Sequence, residues 1–204
     1  MVSIWYRHPE LYNLGMLLIH GNNYAKRAKL VAAKIPKNST VLDIGCGSCL
    51  LKKYLDSSCD YEGWDLNKHF VKSAQKKGYK VLLQDCTKTK IPQKDFIVIS
   101  DVLHHIYPND SQLIRACLEN ACKSLIVIEP FNDPKQNSRR LYRLLRNIRK
   151  KTPLEKLIGE NDGTNNPDDI YIRTQKDLID FLNKFGKNEI EALSDELISI
   201  FKKL

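Results

Sequence analysis

Two short runs, FIVIS at 96–100 and SLIVIE at 124–129, place four apolar residues in a row with no polar alternation. A strand that is apolar on both faces must be covered on both, which is the condition of a parallel sheet sandwiched between helices. Three further strand-like runs precede them, Thr40–Ile44, Tyr61–Asp65 and Lys80–Leu83, and helical spacing appears at 49–56, 68–77 and 110–121. Strand and helix thus alternate with short links, as in an α/β fold. Helical patterns at 9–19 and 23–35, broken near Gly21, come before the first strand. At the other end RTQKDLIDFLNKFG predicts a helix capped by Thr174 and stopped by Gly186, and NEIEAL and LISIFKKL predict a closing antiparallel hairpin.

A chain of 204 residues suits one domain spanning 1–204, with N-terminal lid helices over 1–36 and an insertion at 131–170 where the rhythm breaks. With 42% hydrophobic and 28% charged residues, disorder is an unsuitable description of the whole. No run reaches the roughly 18 apolar residues of a membrane span, and MVSIWYRHPE lacks the apolar core of an export signal, so a cytoplasmic protein is expected. Six cysteines are then expected as thiols. Cys46 and Cys49 form a CxxC, yet no second CxxC accompanies it, and small packing residues are the preferred reading over a metal site.

The net charge of +9 is unevenly placed. From Lys135 to Lys151 there is no acidic residue, and on a helix Leu141, Leu144, Leu145 and Ile148 would form one stripe among arginines. Three uses are open to such a basic amphipathic helix: docking on the protein's own surface, contact with an anionic membrane, or contact with RNA phosphates.

Between the first strand and the next helical pattern lies VLDIGCGSC. Gly45 and Gly47 mark a tight turn that something approaches closely, but Leu50 stands where GxGxxG needs its third glycine, and no GK[ST] follows. Asp43 makes the pattern DxGxG. An acid there sits poorly with a diphosphate and suits a ligand bearing a cation beside backbone donors. This stretch resembles motif I of the class I S-adenosylmethionine-dependent methyltransferases, and the resemblance continues in order through YEGWDLN, LLQDC and DFIVISDVLHHI.

The resemblance implies a Rossmann-like, doubly wound, mostly parallel seven-stranded sheet with helices on both faces, and S-adenosylmethionine as cofactor with S-adenosylhomocysteine as product. Asp43, Gly45, Cys46 and Gly47 would form the first wall of its site. Asp65, with Leu66, would hold the ribose hydroxyls, Asp85 and Cys86 would lie beside the adenine, and Ser100 and Asp101 near the methionine portion. His104 and His105 fall on the acceptor side and are the catalytic candidates. Two departures stand out: Cys49 replaces the third glycine of the family's GxGxG, and ENACKS replaces the glycine pair before the fifth strand.

Methyl transfer from a sulfonium is an in-line displacement that needs alignment and exclusion of water, with a histidine as base where the acceptor must lose a proton. There is no NPPY signature and no cysteine in the context of cytosine methylation. The first reading is therefore an enzyme acting on a small-molecule or lipid-linked acceptor, with the basic row at 135–151 giving it a peripheral hold on an anionic membrane. The second is an RNA methyltransferase, of tRNA or rRNA, using that row for phosphates. The third is a non-catalytic cofactor-binding partner protein. Tyr6, Arg7, Tyr24 and Arg27 are expected in lid helices, either packed on the sheet or covering the cofactor.

Overall fold

The structure is a computed structural model and describes residues 4–20, 22–132, 171–193 and 195–203. The basic row at 135–151 and the rest of the predicted insertion beyond 132 lie outside the described residues. In chain order the elements are α1 (Ile4–Arg7), α2 (Pro9–His20), α3 (Asn22–Ala33), β1 (Thr40–Ile44), β2 (Asp60–Asp65), α4 (Lys68–Lys76) and β3 (Val81–Leu83). These are followed by β4 (Lys94–Ser100), a 3-10 turn (Leu103–His105), α5 (Asp110–Asn120), β5 (Ala121–Pro130), α6 (Gln175–Asn183), β6 (Glu189–Leu193) and β7 (Glu196–Lys202).

The seven strands form one sheet in the order β3-β2-β1-β4-β5-β7-β6. β1 to β5 run parallel, and β7 enters antiparallel to both β5 and β6. The order reverses direction between β1 and β4, so a crevice opens at their carboxyl ends. Alternation along the strands divides the core into two. Leu42, Ile44, Ile97, Ile99, Leu125 and Val127 pack with Leu113 and Ile114 of α5 and Leu178 and Leu182 of α6. Their sequence neighbours Val41, Val98, Ile126 and Ile128 pack on the other face with Val31 of α3 and Val71 and Ala74 of α4. Both faces are dry, which is why FIVIS and SLIVIE carry no polar alternation.

The predicted helix at 49–56 is not formed; residues 48–54 make successive turns. Gly47 and Cys49 take φ of +51° and +62°, a left-handed conformation that a right-handed helix cannot include. Cys49 N bonds Cys46 O and Tyr54 N bonds Leu51 O, both three-residue closures, while Leu51 and Leu55 remain buried. The helical spacing recorded burial rather than a helix. Without the glycine pair, α5 passes into β5 with no loop: Ala121 turns to φ −77°, ψ 117° and still donates its N–H to Cys117 O. As expected, Thr174 caps α6, its hydroxyl accepting from Asp177 N at 3.2 Å.

The chain leaves and rejoins the described fold at one place. Asn132 N donates to Arg173 O at 2.8 Å, and Asn132 and Thr174 form a parallel bridge.

Candidate active site

A cavity of about 200 Å³ opens at the carboxyl ends of β1, β2 and β4, with Gln84, Asp85 and Cys86 after β3 and α1 to α3 on its other side. Gly45 is part of its wall. Its φ is +74°, and a Cβ there would fall 2.3 Å from Val102 Cγ2 and 2.7 Å from Ser100 O, so only glycine lets β1 and β4 leave the sheet so close together. The amides of Gly45 and Cys46 both donate to Trp64 O, at 2.9 and 3.1 Å, tying the turn to β2.

Asp65, at the end of β2, is spread across two elements: Oδ2 accepts from Gly47 N at 2.8 Å and Oδ1 from Asn67 N at 2.7 Å. A carboxylate can accept several hydrogen bonds, and Asp65 lines the cavity as well. Asn67 accepts from His69 N to cap α4 and donates its side-chain amide to Tyr6 O at 2.8 Å, which fixes α1 against the cavity. Asp85 is held in its own turn, accepting from Thr87 Oγ1 at 2.6 Å and pairing with Lys88 at 2.9 Å. The Thr87 hydroxyl in particular holds its carboxyl below the usual range.

Asp43 is 2% exposed. One oxygen accepts from Tyr61 OH at 2.9 Å, and the other, Oδ1, has no hydrogen-bond partner among the described residues. Burial pushes this carboxyl up to about 7, with the nearby Asp65 adding to the rise and the Tyr61 bond opposing it. A buried carboxylate oxygen without a donor is a place for a positive or donating group. Of the two cysteines that line the cavity, burial lifts Cys86 to about 12, and the Cys49 side chain, together with burial, raises Cys46, which favours the thiol over the thiolate at both.

Asp101 follows β4 with φ +55° and pairs with Arg27 at 2.8 Å; the same guanidinium nitrogen lies 2.5 Å from Glu196 at the start of β7. Burial and the adjoining Asp101 push Glu196 up to about 8, whereas the two carboxylates keep Arg27 firmly charged. Glu196 carries no local signal in the sequence; it stands 169 positions from Arg27. Ser48 Oγ and Tyr24 OH both donate to Asn13 Oδ1, at 2.6 and 2.9 Å, joining the glycine turn to α2 and α3.

The two histidines part company. His105 lines the cavity, together with Ile106, while His104 lies behind it, 8% exposed. His104 Nδ1 is 2.5 Å from Oε1 of Glu129, and Glu129 also accepts from the His104 and Leu103 amides. The imidazole rings are 4.1 Å apart, so Glu129 and His104 form the support on which His105 rests. Glu129 is the last charged residue of β5, and its helix-side partners could not be read from the strand alone. Of the residues expected at the cofactor, Asp43, Gly45, Cys46, Gly47, Asp65, Leu66, Asp85, Cys86, Ser100 and Asp101 all line the one cavity. Tyr6 of α1 and Tyr24 and Arg27 of α3 join them, as does Tyr12 of α2, which the sequence reading missed.

Residues 42–124 match a family model described as a methyltransferase domain. No curated protein matches the chain in sequence. Among solved structures, magnesium protoporphyrin IX methyltransferase from Synechocystis PCC 6803 with bound SAH is similar at 18% identity, covering 89% of this chain and 84% of that one, with a TM-score of 0.60. Human N-acetylserotonin methyltransferase in complex with SAM is 18% identical over 97% of this chain and 57% of its own, with a TM-score of 0.59. A TehB-like SAM-dependent methyltransferase from Corynebacterium glutamicum is 17% identical over 97% and 98%, with a TM-score of 0.59. At such identities the likeness establishes the fold.

Proposed function

We propose that this chain, whose residues 42–124 match the model of a methyltransferase domain, is a class I S-adenosylmethionine-dependent methyltransferase whose acceptor is a small molecule or a lipid-linked compound. The observation that carries this reading is the single cavity in which the glycine turn, three strand-end carboxylates and His105 converge at the switch point of the sheet. The residues present fit the cofactor. Gly45 leaves room where any Cβ would clash, Asp43 Oδ1 faces the need for a cation, and Asp65 puts into the cavity wall the carboxylate that a pair of hydroxyls needs. When bound, the cofactor supplies a methyl group already activated by its sulfonium.

The chain's own work is then to orient and to exclude water. Tyr6, Tyr12 and Tyr24 roof the cavity. His105 is the base for an acceptor that must lose a proton, and His104 is a positioning residue that transmits the hold of Glu129 to it. The names of two similar structures refer to small acceptors, a porphyrin and N-acetylserotonin, which favours the same class for this fold. The acid-free row at 135–151 supports the alternative of an RNA acceptor. A non-catalytic role is the remaining contrast, and observed turnover would rule it out.

Calorimetric titration with S-adenosylmethionine and S-adenosylhomocysteine tests the cofactor. Micromolar binding that disappears in Asp65→Ala is the expected result; absence of binding by the folded protein would reject the assignment. RNA gel shifts at two salt concentrations then separate the acceptor readings, since phosphate tracking weakens steeply with salt.

A further inference from the structure

A second cavity, of about 350 Å³, lies at the other end of the sheet from the first, where β4 and β5 begin and β7 ends. Its size is within the range of small-molecule sites. Strand register builds it. Phe96 stands opposite Ser124, and Ser124 opposite Lys202, so the three form one row across β4, β5 and β7. Ile126 and Ile200 are the next pair of that kind along β5 and β7, and by the alternation of side chains they share the face of that row. Phe96, Ile126 and Ile200 pack with Val31 and Ile35, which identifies this face as the one covered by α3. Lys34, directly after α3, lines the cavity from the helix side, and Lys123 and Lys203 close its end, with Lys203 N donating to Lys123 O at 2.8 Å.

Two features of this cavity ask for an anion. The first is charge. Lys202 pairs with Glu189 at 2.6 Å and Lys123 with Asp95 at 3.1 Å, while Lys203 donates to the carbonyl of Glu119 at 3.2 Å. Lys202 above all, with Lys34 and Lys187 assisting, holds the Glu189 carboxyl below its usual range, so Lys34 shares that carboxylate with Lys202. Four ammonium groups thus face two carboxylates, and among the described residues no acid lines the cavity. The second feature is Ser124. It is 5% exposed, and no hydrogen bond among the described residues engages its hydroxyl. A hydroxyl so placed is a donor that lacks an acceptor, at a cost that a ligand oxygen would remove.

We propose that this cavity binds a small organic anion, its charged head accepting from the Ser124 hydroxyl and from Lys34 and Lys202, its apolar body resting on Phe96, Ile126 and Ile200. Lysines supply point charges without the planar fork of arginine, so a carboxylate and a phosphate ester both suit them as heads. A bare inorganic anion would leave the apolar floor without a partner. An RNA backbone would meet the exposed ammonium groups without reaching a hydroxyl as buried as that of Ser124. The first cavity opens at the carboxyl ends of the strands and this one at the amino ends, so the inference stands independently of the methyltransferase reading.

The test uses the full chain with two probes, sodium octanoate and octyl phosphate. With the isoleucine methyl groups labelled and assigned, the Ile126 and Ile200 signals should move saturably with at least one of them. Ser124→Ala should weaken that binding about tenfold, and Lys34→Gln with Lys202→Gln by more, since each removes a donor to a charged head. Calorimetric affinity for S-adenosylhomocysteine should stay at the parent value in both variants, because none of the three residues touches the first cavity, and this also verifies that they fold. Butyrate and inorganic phosphate separate charge from shape, and each should bind more than about tenfold less well than the longer probes. Equal binding of the short and long anions would reduce the cavity to an adventitious ion site only and overturn the proposal. Signals that stay fixed with both probes, movement unaltered in both variants, or displacement of the probe by S-adenosylhomocysteine would each overturn it as well, the last by placing the anion in the first cavity. The same signals moved equally by polyuridylate would assign the lysines to RNA and reject the small ligand.

Discussion

Asp43 is the residue whose chemistry is most exposed to test. Its carboxyl titrates near 7 in the folded protein and near 4 in an unfolded chain, so folding favours its protonated form. The stabilisation that follows is complete below about pH 4 and is lost as pH rises through about 7. Unliganded protein should therefore lose stability across that window, by at most about 4 kcal/mol from this group. Asp43→Asn should reduce the slope of Tm against pH between 4 and 7, read by scanning calorimetry; Glu196, raised for a similar reason, leaves a residual slope of the same sign from about pH 4.5 to about 8. A ligand cation against Oδ1 has the reverse preference, so cofactor affinity should fall as pH drops below about 7, with protons released on binding. Equal heats in buffers of different ionisation enthalpy would contradict this. At Gly45, alanine must displace Val102 and the Ser100 carbonyl, and we expect a loss of about 2 kcal/mol or more in stability by denaturant titration. Asp65→Ala removes the acceptor of two backbone amides as well as the proposed ribose ligand, and should weaken cofactor binding by more than about a hundredfold.

Among the elements, β5 and the turn after β4 carry the prediction that separates catalysis from support. Replacing Glu129 by alanine strands two buried amides and the His104 ring, at a cost of roughly 2–4 kcal/mol in stability. His105→Ala, at the cavity surface, should leave stability and S-adenosylhomocysteine affinity near their parent values and lower turnover on an acceptor that must be deprotonated by about a hundredfold or more. His104→Gln should lower turnover less and shift the pH profile of the reaction, because it acts through His105. A profile that does not move would reduce His104 to packing. These elements also mark what the sequence could disclose. The five parallel strands, the closing hairpin and the Thr174 cap were legible because burial on both faces and capping leave local patterns in the chain. The helix expected at 49–56 misled because Leu51 and Leu55 have helical spacing, while the positive φ of Cys49 at the family's third glycine leaves no trace in hydropathy. The cavity acids were legible through their order after each strand. Glu129 and Glu196 were not, since each acquires meaning only from a partner distant in sequence.

For the whole molecule, Arg27 is the point at which the N-terminal helices, the loop after β4 and the last strand meet. Arg27 is 9% exposed, and its two carboxylate partners come from Asp101 in the cavity wall and Glu196 at the head of β7. A buried cation shared in this way is costly to assemble and more costly to break, since removing it leaves Glu196 buried and uncompensated. Arg27→Met should accordingly destabilise the protein by about 3 kcal/mol in urea, and Arg27→Met with Glu196→Leu should recover much of that loss because the buried carboxyl at β7 is removed with its partner. The single change should also raise hydrogen exchange in α2 and α3 before it does so in β4 and β5, because the sheet's central strands have their own dry packing on both faces while the helices over the cavity are held at few points. Uniform acceleration across sheet and helices would mean that Arg27 supports the core as a whole. Acceleration confined to α2 and α3 would identify the trio as the fastening between the helices over the cavity and the sheet that forms its floor, and in the double variant that acceleration should persist even as global stability returns.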